Sequence, residues 1–131
     1  MSKYLVFPDV VFKDRRLLVA ALTELGYPEV DQGESLPLYG YRGDQRPETC
    51  EIVVRRRFLG SASNDLGFTH TAEGYVPVVS EYDQRALQGG QLLVKLRTAY
   101  SERVVEEVKR RLHGSAHRSV DGQVIKIKVR F

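Results

Sequence analysis

Cysteine occurs once, at Cys50, in a chain of 131 residues. A lone cysteine closes no internal disulfide, which excludes a disulfide-stapled scaffold and makes a reducing, intracellular compartment the natural expectation. Histidine is scarce and scattered, at His70, His113 and His117. A zinc site wants ligands paired at set spacings, such as two Cys-x-x-Cys pairs or His-Glu-x-x-His. Neither pattern occurs, and His113 and His117 straddle Gly114, so no metal site is expected. Apolar runs are only a few residues long, far short of the roughly 20 that span a bilayer. The opening Met-Ser-Lys-Tyr-Leu-Val-Phe-Pro has a charge and a short apolar run, but Asp9 and the helix pattern after it speak against a signal peptide. No Gly-x-Ser-x-Gly elbow, phosphate-cradling Walker loop or Rossmann glycine fingerprint is found, so no cofactor is expected. Strong charge is also missing. The net value is +3, but residues 1–94 hold 10 basic and 13 acidic residues while residues 95–131 hold 10 and 4. That split predicts a two-signed surface and an acidic partner for the C-terminal part.

What is present is a patterned chain of ordinary apolar and charged content, long enough to bury about two-thirds of its unfolded surface in a single domain, residues 1–131. Lys3 to Phe12 alternates like a strand, and Pro8, which lacks an N–H, places it at an edge or interrupts it. Asp14 reads as an N-cap. Leu17, Leu18, Ala21, Leu22 and Leu25 form a helical face, and Gly26 and Pro28 end that helix. Glu29 to Leu36 reads as polar and loop-like, with room for a short strand near Val30, Leu38 to Arg42 as a short strand, and Gly43 to Pro47 as a turn. Cys50 to Phe58 reads as a strand with Cys50, Ile52, Val54, Arg56 and Phe58 on one face. Leu59 to Asp65 is a loop. Leu66–His70 and Tyr75–Ser80 form a hairpin, and Tyr82 to Leu87 is a helical turn capped by Asp83.

The stretch from Gln91 to Phe131 organises the rest. Leu93, Leu96, Tyr100, Val104 and Val108 recur at three- and four-residue steps, widened by Leu92, Ala99, Val105 and Leu112. Gly114 is placed to end that helix. Val120-Asp-Gly-Gln123 is a hairpin turn signal, and in the strand after it Ile125, Ile127, Val129 and Phe131 face one way, Lys126, Lys128 and Arg130 the other. The order β-α-β-β-β-β-β-α-β-β predicts an α+β fold: one antiparallel sheet, or two, with two main helices packed on one face.

Few residues invite chemistry. Cys50 shares its predicted face with Ile52 and Val54 and reads as a small buried hydrophobe rather than a nucleophile. Gly89-Gly90 reads as a helix break rather than an anion seat. Lys109-Arg110-Arg111 suits the last turn of a helix, where backbone carbonyls carry partial negative charge, and Glu106 and Glu107 stand four residues before Arg110 and Arg111. Arg55 and Arg57, on one predicted strand face, are candidate anion-binding residues, set against a solvated strand end. Tyr39, Tyr41 and Arg42 combine aromatic faces with a guanidinium, the composition of an interface anchor. Lys126, Lys128 and Arg130 form a basic strip, either a contact surface or a guard against edge pairing.

The N-terminal segment leading to Asp14, the Leu-x-x-Ala-Leu-x-x-Leu-Gly-Tyr run ending at Tyr27, Gly40-Tyr-Arg-Gly43, Leu66-Gly-Phe68 with Gly74-Tyr75, and the Tyr100 helix leading into the terminal hairpin resemble the domain of unknown function 1257 family, the hypothetical chloroplast reading frame 35-like proteins. The resemblance covers nearly the whole chain. It departs where the plastid members carry a tryptophan-bearing segment; here Trp is absent and Ser80-Glu-Tyr82 stands in its place. The family has no established chemistry, but some bacterial relatives look like companions of AAA+ type ATPases, which implies an accessory role.

Three readings follow. The first is a non-enzymatic adaptor that acts through protein–protein contacts at Tyr39, Tyr41, Arg42, Lys126, Lys128 and Arg130, with an AAA+ type ATPase as the partner class implied by the resemblance. The alternative is a small nucleic-acid-binding domain using a basic strand face, and its binding should weaken steeply with salt. An enzyme with a pocket of Arg42, Tyr41 and His70 ranks last, because no nucleophile–base pair is legible.

Overall fold

The computed structural model describes residues 2–116. Among these, five strands form one antiparallel sheet: β1 (Tyr4–Val6), β2 (Asp31–Tyr39), β3 (Gln45–Val54), β4 (Leu66–Thr71) and β5 (Gly74–Ser80), in the order β1-β5-β4-β3-β2. The helices are α1 (Arg15–Glu24), α2 (Glu81–Ala86) and α3 (Leu92–Ala116). The fold class is therefore α+β, as the patterning predicts. The terminal hairpin expected at Val120 to Phe131, with Lys126, Lys128 and Arg130, lies outside the described residues.

Local chemistry explains most boundaries. Asp14 caps α1, its Oδ1 accepting from the Leu17 N–H at 3.2 Å. Gly26 leaves the helix at φ +103°, a conformation that costs an L side chain steric strain. The β4–β5 hairpin closes at Thr71↔Gly74. β1 is short, sits at the sheet edge and stops before Pro8.

Several expectations shift. The segment read as a polar loop is the edge strand β2, whose pairing with β3 is irregular between Gln32 and Leu36. β3 starts at Gln45 and stops at Val54, and Arg56–Phe58 forms a 3-10 turn instead of prolonging the strand. The expected alternation along β3 also breaks. Ile52 and Val54 join the core under the helices, whereas Cys50 packs with Leu38, Val53 and Val78 in a second cluster. α2 is capped by Ser80, not Asp83; the Ser80 hydroxyl accepts from the Asp83 N–H. α3 runs through Gly114 to Ala116.

The main core lies between the sheet and helices α1 and α3. Phe12, Leu18, Leu22, Ile52, Phe68, Leu92, Leu96 and Tyr100 are buried there, and the Phe12 ring meets Phe68 and Tyr100 edge-on at 6.0 and 5.1 Å. The opposite face carries the smaller cluster. Gly67 stands opposite Val53 and Val78 in the register, and a Cβ there would collide with Cys50 Sγ. Three strand steps apart in the sheet order, β3 and β1 nonetheless touch: the Arg46 guanidinium lies 5.3 Å over the Tyr4 ring and donates to the Ser2 carbonyl at 2.9 Å. The sheet thus curls over its second cluster.

Candidate functional site

The loop between β3 and β4 carries Ser63, Asn64 and Asp65, all buried. A loop that enters the interior must satisfy every polar group it takes there. Asp65 does so fully. Its Oδ2 accepts from the Tyr39 N–H at 2.8 Å and from Arg55 Nη1 at 2.9 Å, and its Oδ1 accepts from the Arg56 N–H at 2.7 Å. Its own N–H donates to the Tyr39 carbonyl, and its carbonyl accepts from the Tyr4 hydroxyl at 2.7 Å. Arg55 completes the arrangement, donating from Nε to Asp31 at 2.8 Å and from Nη1 to the Pro37 carbonyl at 2.8 Å. Burial by itself would lower the Arg55 pKa; the hydrogen bonds to Asp31 and Asp65 outweigh it and hold the guanidinium above its ordinary value. Burial, then the Asp65 charge, pushes the Tyr4 phenol up.

Asn64 links this loop to α2. Its N–H donates to Asp83 Oδ2 at 2.9 Å, its Nδ2 to the Ser80 hydroxyl at 2.9 Å, and its Oδ1 accepts from the Tyr41 N–H at 3.0 Å. The Ser80 hydroxyl spends its one proton on Asp83 Oδ2 at 2.7 Å and accepts from Asn64 and the Asp83 N–H. One buried polar cluster thus fixes the β2–β3 turn, the Asn64 loop and the first turn of α2 against one another.

Above that cluster opens a depression of about 450 Å³, lined by Ser2, Tyr41, Ala62, Asn64, Glu81, Tyr82 and Arg85. Tyr41 is 37% exposed and Tyr82 40%. Arg42 lies beside Tyr41, its Nε donating to the Tyr41 hydroxyl at 2.8 Å.

The sequence-derived candidates divide accordingly. Tyr41 lines the depression, and Arg42 is held beside it through the Tyr41 hydroxyl. Tyr39 does neither: it is half-buried, its backbone bonded to Asp65 and its ring 5.8 Å under the Arg55 guanidinium. Arg55 is committed to Asp31, Asp65 and Pro37, and Arg56 donates to the Ser63 and Ser61 carbonyls, each at 3.0 Å. Arg57 is exposed, paired with Glu29 at 2.9 Å and lying over the Phe58 ring. His70 stands near the far end of β4, its ring 4.8 Å from Tyr75 and away from Tyr41 and Arg42. Cys50 is buried, and burial, with Glu51 and Glu48 adding to it, pushes its thiol up to about 12. Among the described residues no group of three His, Cys, Asp or Glu could hold a metal ion, and no helix is long and apolar enough to cross a membrane.

Nothing local in the sequence marks Tyr82, Arg85, Asn64 and Asp65 as site residues. Ser80-x-x-Asp83 is a capping pattern that points to α2, but nothing in the sequence places it beside Tyr41.

Residues 21–123 match the family model described as Protein of unknown function (DUF1257). The chain belongs to the DUF1257 family. No curated protein and no solved structure matches it. The DUF1257 match contains Tyr41, Asn64, Asp65, Tyr82 and Arg85, and it ends before Lys126, Lys128 and Arg130.

Proposed function

We propose that this DUF1257 chain is a non-enzymatic accessory subunit that binds another protein through the rim formed by Tyr41, Tyr82 and Arg85, with Arg42 beside Tyr41. One observation carries the reading: two half-exposed tyrosines flank a depression whose floor is immobilised by a buried hydrogen-bonded cluster. Tyrosine and arginine are enriched among residues that anchor interfaces, and a preformed site loses little entropy on docking. An AAA+ type ATPase is the partner class to look for first, on the strength of the family resemblance. Nucleic-acid binding is the weaker reading, because Arg55 and Arg56 spend their donors inside the chain.

The test is affinity purification of the tagged chain from its native host at native expression, with wild type run beside Tyr41→Ala/Tyr82→Ala and Arg85→Glu. The expected result is a stoichiometric partner in the wild-type eluate, depleted at least tenfold in both variants, with unchanged circular dichroism. A partner retained by both variants, or a wild-type chain that elutes alone, overturns the proposal.

A further inference from the structure

The linker between β1 and α1 is tied down at several points. Phe12 exchanges backbone hydrogen bonds with Tyr75, both at 2.8 Å, and its ring meets Tyr100 edge-on. The Asp14 N–H donates to the Tyr100 hydroxyl at 3.0 Å. On α3, Arg97, Tyr100 and Ser101 stand three and four residues apart and so share one side of the helix. Between that side and the linker lies a recess of about 290 Å³, lined by Asp9, Val11, Phe12, Arg97, Tyr100 and Ser101. It shares no residue with the depression at Tyr41.

The polar groups of this recess are not spent inside the chain. Among the described residues neither the Asp9 carboxylate nor the Arg97 guanidinium has a hydrogen bond or ion pair, although both line the same small space. The Ser101 hydroxyl has no partner there either. Tyr100 is 2% exposed, and its hydroxyl accepts from Asp14 without an acceptor for its own proton among the described residues. A buried tyrosine ordinarily places that proton on a partner. The recess therefore combines one free charge of each sign with two uncommitted hydroxyls, on walls fixed by the Phe12 and Asp14 contacts.

The charges select the ligand. A plain anion meets Arg97 but is repelled by Asp9, and a plain cation meets the reverse. A small molecule that carries both charges satisfies both residues at once. Pockets for drug-sized ligands run from about 300 to 1,000 Å³, so this recess suits something smaller.

We infer that the recess binds a free α-amino acid, its ammonium on Asp9 and its carboxylate on Arg97, with the Tyr100 and Ser101 hydroxyls as further donors. Val11 supplies an apolar wall, which favours a short aliphatic side chain.

Calorimetric titration of the full chain with each of the twenty standard L-amino acids at millimolar concentration tests this. Propionate and ethylamine serve as one-charge controls and glycerol as a neutral one. The variants are Asp9→Asn and Arg97→Gln; both positions are exposed, and circular dichroism melts check that the fold survives. The expected result is saturable binding of at least one amino acid, at least tenfold tighter than either one-charge control and at least tenfold weaker in each variant. Asp9→Asn should at the same time tighten propionate binding, because it removes the repulsion. A panel in which no amino acid binds overturns the inference. So does binding that both variants retain, or glycerol bound as tightly as the amino acids.

Discussion

The two faces of the sheet are held by different physics. On the helix side, burial is apolar and broad: Phe12, Leu18, Leu22, Phe68 and Leu96 interlock between α1, α3 and the strands. On the other side the apolar cluster is small, and its neighbour is the polar junction of Asp65, Asn64, Ser80 and Asp83. Apolar packing is non-directional and responds to volume. Hydrogen-bonded clusters are directional, and each member removed leaves others buried without partners. One side sets that the chain folds; the other sets where Tyr41 and Tyr82 stand.

The sharpest way to break this comparison is Asp65→Ala. It leaves Arg55 half-paired and the Tyr39 and Arg56 N–H groups without an acceptor, at an expected cost of about 3–5 kcal/mol. Urea titration measures it, and a cost below about 1 kcal/mol would show that the junction is not held by its hydrogen bonds. Leu96→Ala should cost about 2–5 kcal/mol, whereas the volume-conserving Leu96→Met should cost under about 1.5 kcal/mol. No such lenient substitution is expected at Asp65, so Asp65→Asn placed beside Leu96→Met sharpens the contrast.

The smallest effect concerns pH. The native fold holds the Cys50 thiol protonated up to about 12. Because the folded value is raised, the stability it confers is complete below the ordinary thiol pKa of about 8.5 and is lost progressively as pH rises from there toward the folded value. Native protein at pH 8 should leave Cys50 unmodified by a thiol reagent, whereas urea-unfolded protein should react within minutes. Denaturation midpoints should fall above pH 9 for the wild type more steeply than for Cys50→Ala.

Much of the fold is legible in the sequence because its elements announce themselves locally. Asp14 and Gly26 bracket α1, the Leu96–Tyr100 stripe marks α3, and Thr71 to Gly74 marks a hairpin. β2 is hidden because an edge strand rich in Asp31, Gln32, Glu34 and Ser35 lacks a consistent apolar alternation. The arginine run reads as an anion surface, since only tertiary structure brings Asp31 and Asp65 to Arg55. Half of the candidate site is legible as well: Tyr41 and Arg42 stand out by composition. Tyr82 and Arg85 do not, because their pertinence comes from Asn64, which ties α2 to the β2–β3 turn across distant sequence.

Gly67 lies against Cys50, and the pair is a volume constraint: neither position has room to enlarge. The native sulfur is thereby shielded from bulky electrophiles. Thr98→Cys, introduced on the outer side of α3, would give the chain a single accessible attachment point for a maleimide dye, with Cys50 left in place. Fluorescence from that position would report on the surroundings of the α3 surface without disturbing the interior.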